Sequence, residues 1–451
     1  MTLAVTRYEF ARIRIAGPDL ITAFVLLFVI QCCLPGVVIY LCLPWVEVSS
    51  ATGVIAFDRI FTALDLPAAY LVLGLTACFI VMFYASLGLW QRLLGQLGGK
   101  LSGRSLIAVH GSAYGLMLIL SGGFLLSIVS FYTLGDSIVE RFANLIFYRA
   151  GSERVQGTLL NAFAFALTQS WAWLSLPALF VVYERWGRRW SLGVCLLFLA
   201  VFVLLGVSRR AVFIPIFLTY VIFLLYDGRW RLKWVVVTLA PLLLWIAFGK
   251  ELIGSVAFGV SESAITGRYE SFADSFLRAA SDIGITVVES LGAINLLDLA
   301  PRFGVDHLLS VLRQIPTSHS WLGQLPPRIV RLSTEAFSSA QDEDIPPGLF
   351  GQMWMDFRAF GPVVWGLLLS LQISIAQHVF AQTIRTRQAA ALFAVLTFVI
   401  ALPLNTGSYD FTFSIDIYVL CLAVLLTFRL IPVRIPTAPR AHGPTTAPHP
   451  T

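Results

Sequence analysis

Residues 66–89 read LPAAYLVLGLTACFIVMFYASLGL and contain no Asp, Glu, Lys or Arg. A helix needs roughly 20 apolar residues to cross a bilayer, so this run predicts a membrane-spanning helix. The same rule predicts about ten spans, near residues 20–43, 66–89, 106–131, 159–182, 191–207, 211–226, 234–249, 362–380, 389–404 and 415–431. The chain is 58% hydrophobic and 12% charged, whereas soluble domains are about 25% charged. We therefore predict an all-α, polytopic integral membrane protein.

Segment 250–346 is the one long stretch whose composition suits water. It carries 19 of the chain's 56 charged residues, and aromatic side chains such as Phe303 and Trp321 lie among the charges. A disordered tether is poor in aromatic residues, so we predict an ordered loop that caps one end of a helix bundle. The predicted parts are an N-terminal bundle of about seven spans (1–249), this loop (250–346), an interfacial helix with about three spans (347–431) and a disordered tail (432–451).

Basic residues concentrate on one side of the predicted spans. The segments on that side, together with Arg429, carry 17 Lys and Arg against four Asp and Glu; they are 1–19, 90–105, 183–190, 227–233, 381–388 and 432–451. The long loop carries seven basic and twelve acidic residues. Because basic residues favour the cytoplasmic side, we predict that both termini are cytoplasmic and that the loop is external. The net charge of +6 therefore reflects topology and does not indicate a nucleic-acid partner.

The cysteines and carboxylates do not predict a metal site. All six Cys residues fall within apolar spans, without CxxC or Cys/His ligand spacing. The acidic run Asp342-Glu343-Asp344 is typical of a solvated charge cluster. We therefore predict neither a metal nor any other cofactor.

Two adjacent arginines, Arg209 and Arg210, follow Ser208 between two predicted spans, with no polar spacer. Each of these spans covers only about 25 Å, less than the roughly 30 Å hydrocarbon core. Both guanidinium groups are thus predicted to lie at or below the outer membrane boundary. Their planar forks suit bidentate contact with phosphate oxygens. The alternative is that both side chains extend to the outer headgroups.

Further charged residues in the loop are candidates for chemistry. Arg268 and Arg278 lie ten residues apart, and one helix through both would place them on related faces; solvated surface positions are the other interpretation. His319 stands in a turn-rich polar stretch, where it is either a base near neutral pH or an ordinary loop residue. Glu251 adjoins Lys250, with which it can pair.

The chain re-enters the membrane through a distinctive segment. Ile345-Pro346-Pro347-Gly348 breaks the chain, and the stretch that runs on to Gly361 holds Asp356 and Arg358 beside aromatic residues. Pro near a helix start and Gly near a helix end are typical of a short helix. We predict an interfacial helix that forms the floor of an external cavity.

These features together resemble the bacterial oligosaccharide repeat-unit polymerases, the Wzy-type O-antigen and exopolysaccharide polymerases. The resemblance spans roughly residues 160–410 and is carried by Ser208-Arg209-Arg210, the long outer loop with Ile315-Pro316, and Ile345-Pro346-Pro347-Gly348-Leu349-Phe350-Gly351 leading through Asp356-Phe357 to Gly361. The related O-antigen ligases usually carry a His-Asn pair in the outer loop. Here Leu308 follows His307 and Ser320 follows His319, which disfavours the ligase assignment.

The resemblance implies a fold similar to lipid-dependent, GT-C-like membrane glycosyltransferases. It also implies metal-independent joining of oligosaccharide units carried on undecaprenyl diphosphate, at the outer face of the bacterial cytoplasmic membrane. A flippase and a chain-length regulator are the implied partners. The leaving diphosphate would be bound by the arginines named above, Arg209, Arg210, Arg268 and Arg278. The acceptor hydroxyl needs a base, and His319, Asp356 and Glu251 are the candidates.

The sequence is also compatible with two other functions. One is a flippase or transporter for lipid-linked sugars, although the spans are nearly free of the charged residues that ion-coupled carriers use. The other is a non-catalytic membrane partner in an envelope polysaccharide assembly, with the aromatic loop as its docking surface.

Overall fold

The fold is seen in a computed structural model that describes residues 18–33, 66–101, 105–149, 159–187, 189–206, 209–228, 285–297, 300–313, 332–333, 347–407 and 415–434 of the chain. The described helices are α1 (Leu20–Phe28), α2 (Leu66–Leu101), α3 (Ala113–Tyr132), α4 (Ile138–Arg149), α5 (Leu159–Trp186), α6 (Arg189–Gly206), α7 (Arg209–Asp227), α8 (Ile285–Leu296), α9 (Val305–Arg313), α10 (Leu349–Phe357), α11 (Gly361–Ala381), α12 (Arg387–Thr406) and α13 (Ile415–Thr427). A π-helix (Val29–Cys33) extends α1, and a 3₁₀ turn (Arg358–Phe360) joins α10 to α11. The strands are β1 (Ser105–Gly111) and β2 (Phe428–Arg434).

The described part of the chain is mostly helical and contains apolar helices of membrane-spanning length, which agrees with an all-α membrane protein. Four helical segments are long and apolar enough to cross a membrane: Pro67–Gln96, Ala113–Tyr132, Leu349–Ala381 and Arg387–Leu404. Shorter apolar helices are Leu20–Cys33, Arg189–Leu205, Pro215–Asp227 and Ile417–Thr427. The count of about ten spans stays a prediction, since span 234–249 lies outside the described residues.

A two-stranded sheet lies across one end of the bundle, which we call the sheet end. β1 and β2 pair antiparallel, with Gly111 opposite Phe428. β1 also bonds to the turn between α11 and α12, because the Ile107 amide donates to the Gln382 carbonyl at 2.8 Å. The Gly111 amide donates to the side chain of Gln388 at 3.0 Å. These bonds hold the ribbon along the helix ends.

The strands correct two sequence predictions. Spans 106–131 and 415–431 are each wrong at one end, because β1 precedes α3 and β2 follows α13. The tail predicted from residue 432 also begins too early, since β2 continues to Arg434. Hydropathy alone cannot separate an apolar strand from the end of an apolar helix, and here pairing between distant segments decides the structure.

The opposite end of the bundle is closed by a tight contact between two glycines. Gly407 caps the end of α12 with a left-handed φ of 67°, and a Cβ at this position would collide with the Gly348 carbonyl. Gly348 precedes α10 and also has a positive φ, 68°. Only glycine accepts both this conformation and this approach without strain.

Close helix packing forms the core. α2 and α11 run side by side, with Ser86 Oγ and Ser370 Oγ 2.7 Å apart in a buried hydrogen bond. Gly366 allows the approach, because a Cβ there would lie 3.1 Å from Met82 Cβ. α1 packs between α11 and α12. The Leu20 amide at its start donates a hydrogen bond to Gln377 Oε1 of α11 at 3.0 Å.

Part of the predicted external loop is built into the bundle. α8 packs against α10, where Ser290 Oγ accepts a hydrogen bond from the Phe350 amide at 3.1 Å. Gly351 faces Ala293 so closely that a Cβ would lie 2.6 Å from the alanine methyl. The predicted loop thus contributes two of the described helices, α8 and α9, and α8 is packed into the bundle.

Candidate functional site

α10 carries a buried carboxylate to the end of the bundle opposite the sheet. Seven of its nine residues are buried, and Asp356 has 0% exposure. Its Oδ1 accepts a hydrogen bond from Gln352 Nε2 at 3.0 Å. Its Oδ2 accepts one from Trp365 Nε1 at 3.4 Å and lies 2.9 Å from His307 Nε2. A buried charge is expensive unless it is hydrogen-bonded, and these groups supply the partners that Asp356 needs.

The backbone next to α9 brings His307 to this carboxylate. The amides of Arg302 and Phe303 donate to the carbonyls of Met355 and Asp356 at 3.0 and 2.9 Å. The chain then turns at Gly304, which has a φ of 74°, and α9 begins. Two segments about 50 residues apart in sequence are therefore fastened together beside the pair, which we call the His307–Asp356 dyad.

The dyad fixes the orientation of the imidazole. With Asp356 ionised, the carboxylate only accepts hydrogen bonds; Nε2 of His307 is then the donor, and Nδ1 is the nitrogen that can accept a proton. The ring is also held against Trp365, at 5.3 Å between centroids and 78° between planes. An imidazole oriented in this way by a carboxylate is a typical general base.

Two arginines lie beside the dyad. Arg302 forms an ion pair with the buried Asp306, and its Nη2 is 2.6 Å from Asp306 Oδ1. Arg358 follows α10, and its guanidinium carbon lies 5.2 Å from the centroid of the Trp354 ring. The charge of Arg302 is thus balanced by a carboxylate, and Arg358 makes a cation–π contact with Trp354.

Backbone strain is concentrated at this site. Within the described residues, the non-glycine positions with positive φ are Phe303, at 52°, and Arg358, at 53°. One precedes α9 and the other follows α10, so they flank the dyad on both sides. A left-handed conformation is unusual for bulky residues and persists where the surroundings enforce it, commonly at functional sites.

Access to the base is restricted. The His307 side chain is 18% exposed, but its Nδ1 atom has almost no accessible surface. Any group outside the protein therefore reaches Nδ1 only after the surrounding segments shift.

The predicted site residues have different outcomes. Asp356 lies in the dyad, where its carboxylate is fully buried and contacts His307. Four other candidates, His319, Glu251, Arg268 and Arg278, lie outside the described residues. Within the described ranges, no group of three or more His, Cys, Asp or Glu side chains is placed to hold a metal ion.

Arg209 and Arg210 are the first two residues of α7, and their side chains are outside the described set. The two helices that flank them are longer than predicted, 18 residues in α6 and 19 in α7. At 1.5 Å per residue these helices cover about 27–29 Å, so their length no longer requires the arginines to lie below the membrane boundary. Near the far end of α7, Tyr226 meets Arg387 at the start of α12, at 5.3 Å. Because Arg387 lies at the sheet end, α7 begins at the dyad end of the bundle.

His307 is the member of the dyad that the sequence did not single out. Its partner is 49 positions away, and no local motif links the two. A weak signal was present in residues 302–306, RFGVD, where a glycine and an acidic residue precede an amphipathic segment. Comparison of the chain with protein-family models, with curated proteins and with solved structures finds no match.

Proposed function

We propose that this protein is a membrane glycosyltransferase that polymerises oligosaccharide repeat units carried on undecaprenyl diphosphate into O-antigen or exopolysaccharide. The observation that carries the proposal is the His307–Asp356 dyad. In it, the imidazole of His307, on α9, is oriented as a base by the carboxylate of Asp356, on α10, at one end of a membrane bundle. Glycosyl transfer to a hydroxyl group requires such a base.

In the proposed reaction, the acceptor is a sugar hydroxyl of one lipid-linked unit and the donor is the reducing-end sugar of another. The hydroxyl oxygen attacks the anomeric carbon while His307 Nδ1 takes its proton. The bond from the anomeric carbon to the diphosphate oxygen breaks, and the electron pair leaves with undecaprenyl diphosphate. Asp356 stabilises the imidazolium that forms, and no metal is needed in this sequence of steps.

The leaving diphosphate gains negative charge, and cations near it lower the barrier. Arg209 and Arg210 begin α7 at the same end of the bundle as the dyad. The first turn of a helix also presents unpaired backbone N–H groups and the positive end of the helix dipole. We assign the diphosphate to this helix start, with Arg268 and Arg278 as further candidates from the loop.

The proposed location is the bacterial cytoplasmic membrane, with both termini cytoplasmic and the dyad external. At the sheet end, Tyr114 packs against Trp186 at 5.5 Å, and Trp186 stacks on Trp190 at 5.8 Å. Arg185 and Arg189 adjoin these rings in sequence and are exposed. Aromatic belts mark membrane boundaries, and basic residues favour the cytoplasmic one, which supports this orientation.

Reporter fusions test the orientation. A reporter enzyme that is active only outside the cytoplasm should be active when fused near Gln324 and inactive when fused within 183–190 or 90–105. The complementary cytoplasmic reporter serves as the control and should give the opposite pattern. An active cytoplasmic reporter at Gln324 would reverse the orientation and place the dyad on the wrong side for an external polymerase.

Reconstitution tests the function. The purified protein in lipid vesicles, supplied with lipid-linked repeat units, should form a ladder of longer glycans and release undecaprenyl diphosphate, and excess chelator should not stop it. A ladder that disappears with chelator and returns with Mg²⁺ would contradict the metal-independent reaction. Vesicles without the protein, and vesicles with the His307→Ala variant, are the controls.

A second candidate function is a proton-coupled carrier of lipid-linked sugars. The observation in its favour is the buried carboxylate–imidazole pair, since carriers use such groups as proton relays. A carrier would move lipid-linked units across the vesicle membrane in response to a proton gradient without lengthening the glycan. Translocation without a ladder would therefore select the carrier and reject the polymerase.

A further inference from the structure

Three aromatic residues adjoin the dyad, and we call them the aromatic rim: the exposed Phe303 and Phe360, and the half-buried Phe357. Phe303 and Phe360 are 69% and 74% exposed. Phe303 packs edge-to-face with Phe357, with 6.3 Å between ring centroids. Large apolar side chains this exposed, on segments next to a buried polar pair, are typical of a binding surface.

The position of the rim is set by the same contacts that build the dyad. The Phe303 amide is bonded to the carbonyl of Asp356 at 2.9 Å, and His307 follows Phe303 by four positions. The backbone of Phe303 is therefore held at a fixed place relative to the dyad. The backbone holds this exposed ring at a φ of 52°, where a bulky side chain is disfavoured. Packing of the ring into the core does not account for that cost, because most of the ring faces outward.

A cation completes the surface. Arg358 lies between Phe357 and Phe360 in sequence and is fixed over the Trp354 ring. It therefore adds hydrogen-bond donors to a surface that is otherwise apolar. Aromatic faces together with a few polar donors suit a ligand that has both C–H faces and hydroxyl or carboxyl groups.

We propose that the aromatic rim is the subsite for the acceptor glycan, with a pyranose ring stacked on Phe303 and its polar substituents bonded to Arg358. The negative face of an aromatic ring attracts the partly positive C–H bonds on one face of a pyranose. This proposal rests on the polymerase function above and adds the chemistry by which the acceptor is held next to His307. The rim thus acts in binding, whereas the dyad acts in proton transfer.

Direct binding tests the rim without catalysis. The probe is the lipid-free oligosaccharide released from the cell's own lipid-linked repeat unit, and binding is measured by saturation-transfer NMR on the intact protein in nanodiscs. We expect Phe303→Leu to weaken binding about tenfold and Phe303→Tyr to retain it. Leucine keeps an apolar side chain and so preserves any contact with lipid, but it lacks the aromatic face.

The control is Leu308→Ala, which removes a 63% exposed side chain of α9 that is not one of the rim residues and should bind the probe like the wild type. Equal binding by Phe303→Leu and the wild type would refute the subsite. The subsite would also be refuted if Leu308→Ala weakened binding as much as Phe303→Leu. Because the measurement works equally in the inactive His307→Ala background, loss of polymerase activity and loss of the subsite are separate results. In the active enzyme, Phe303→Leu should raise the acceptor KM about tenfold with kcat nearly unchanged.

Discussion

Replacement of Asp356 by Asn should reduce polymer formation by about 10²- to 10⁴-fold while the protein still inserts and folds. Asn has nearly the shape of Asp, so the packing around α10 is preserved. What changes is the charge, and with it the stabilisation of the imidazolium that forms when His307 takes the acceptor proton. The measurement is the rate of ladder formation by the purified variant in vesicles, with thermal unfolding as the control for folding.

The range reflects two orientations of the new amide. If the Asn oxygen faces His307, Nε2 still donates and only the charge is lost, which gives the smaller effect. If the Asn nitrogen faces His307, Nε2 must accept and the proton moves to Nδ1, so the base is lost as well. The first orientation is available because Gln352 can turn its own amide to present an oxygen to Asn. An unchanged rate in a folded Asp356→Asn variant would exclude the dyad from the reaction.

Removal of the imidazole separates the base from the residue that orients it. His307→Ala should lose activity by about 10²- to 10⁴-fold, and free imidazole in the buffer should restore part of it by entering the space left by the ring. Asp356→Asn should not respond to imidazole, because its own ring is present. His378→Ala is the matched control: this histidine lies in α11 near the sheet end and bonds to Gln382, and its loss should leave the rate nearly unchanged. Failure of imidazole to restore any activity to a folded His307→Ala protein would indicate a structural role.

The sequence identified half of this site, for a physical reason. Asp356 stands within a local pattern of Pro, Gly, aromatic and charged residues, and a local pattern can be seen without a structure. His307 becomes significant only through Asp356, and their contact depends on two backbone hydrogen bonds between the Arg302–Phe303 segment and the end of α10. A contact of this kind between distant segments leaves no periodic signal in either one.

The fold shows the same division between local and distant effects. Long apolar runs such as 66–89 and 389–404 predicted helices correctly, since the bilayer requires every backbone group to bond within its own helix. The ends of α3 and α13 were misplaced because β1 and β2 satisfy their backbone groups through each other, across more than 300 residues. Length was misjudged at α6 and α7, where the polar residues Arg189 and Arg209 belong to the helices and do not end them.

The greater length of α6 and α7 changes the expected membrane depth of Arg209 and Arg210 but not their place at a helix start. Their backbone no longer needs to lie deep in the membrane. It still lies at a helix start on the same end of the bundle as the dyad, where the proposed reaction needs a lipid-borne diphosphate. The backbone N–H groups of the first turn add to the positive potential there. A two-point contact between guanidinium and phosphate oxygens is the interaction expected at such a place.

Ala at Arg209 or Arg210 should therefore slow transfer by about 10²-fold or more, as expected when a preorganised group that stabilises developing charge is removed. Lys at the same position should restore only part of the rate, because an ammonium group cannot reproduce the bidentate fork. In cells, the double Ala variant should accumulate single repeat units in place of long polymer. The matched control is Arg189→Ala, since Arg189 is also the first residue of an apolar helix but lies at the sheet end. Wild-type polymer lengths from the double variant at normal expression, or an equal loss from Arg189→Ala, would remove Arg209 and Arg210 from the diphosphate site.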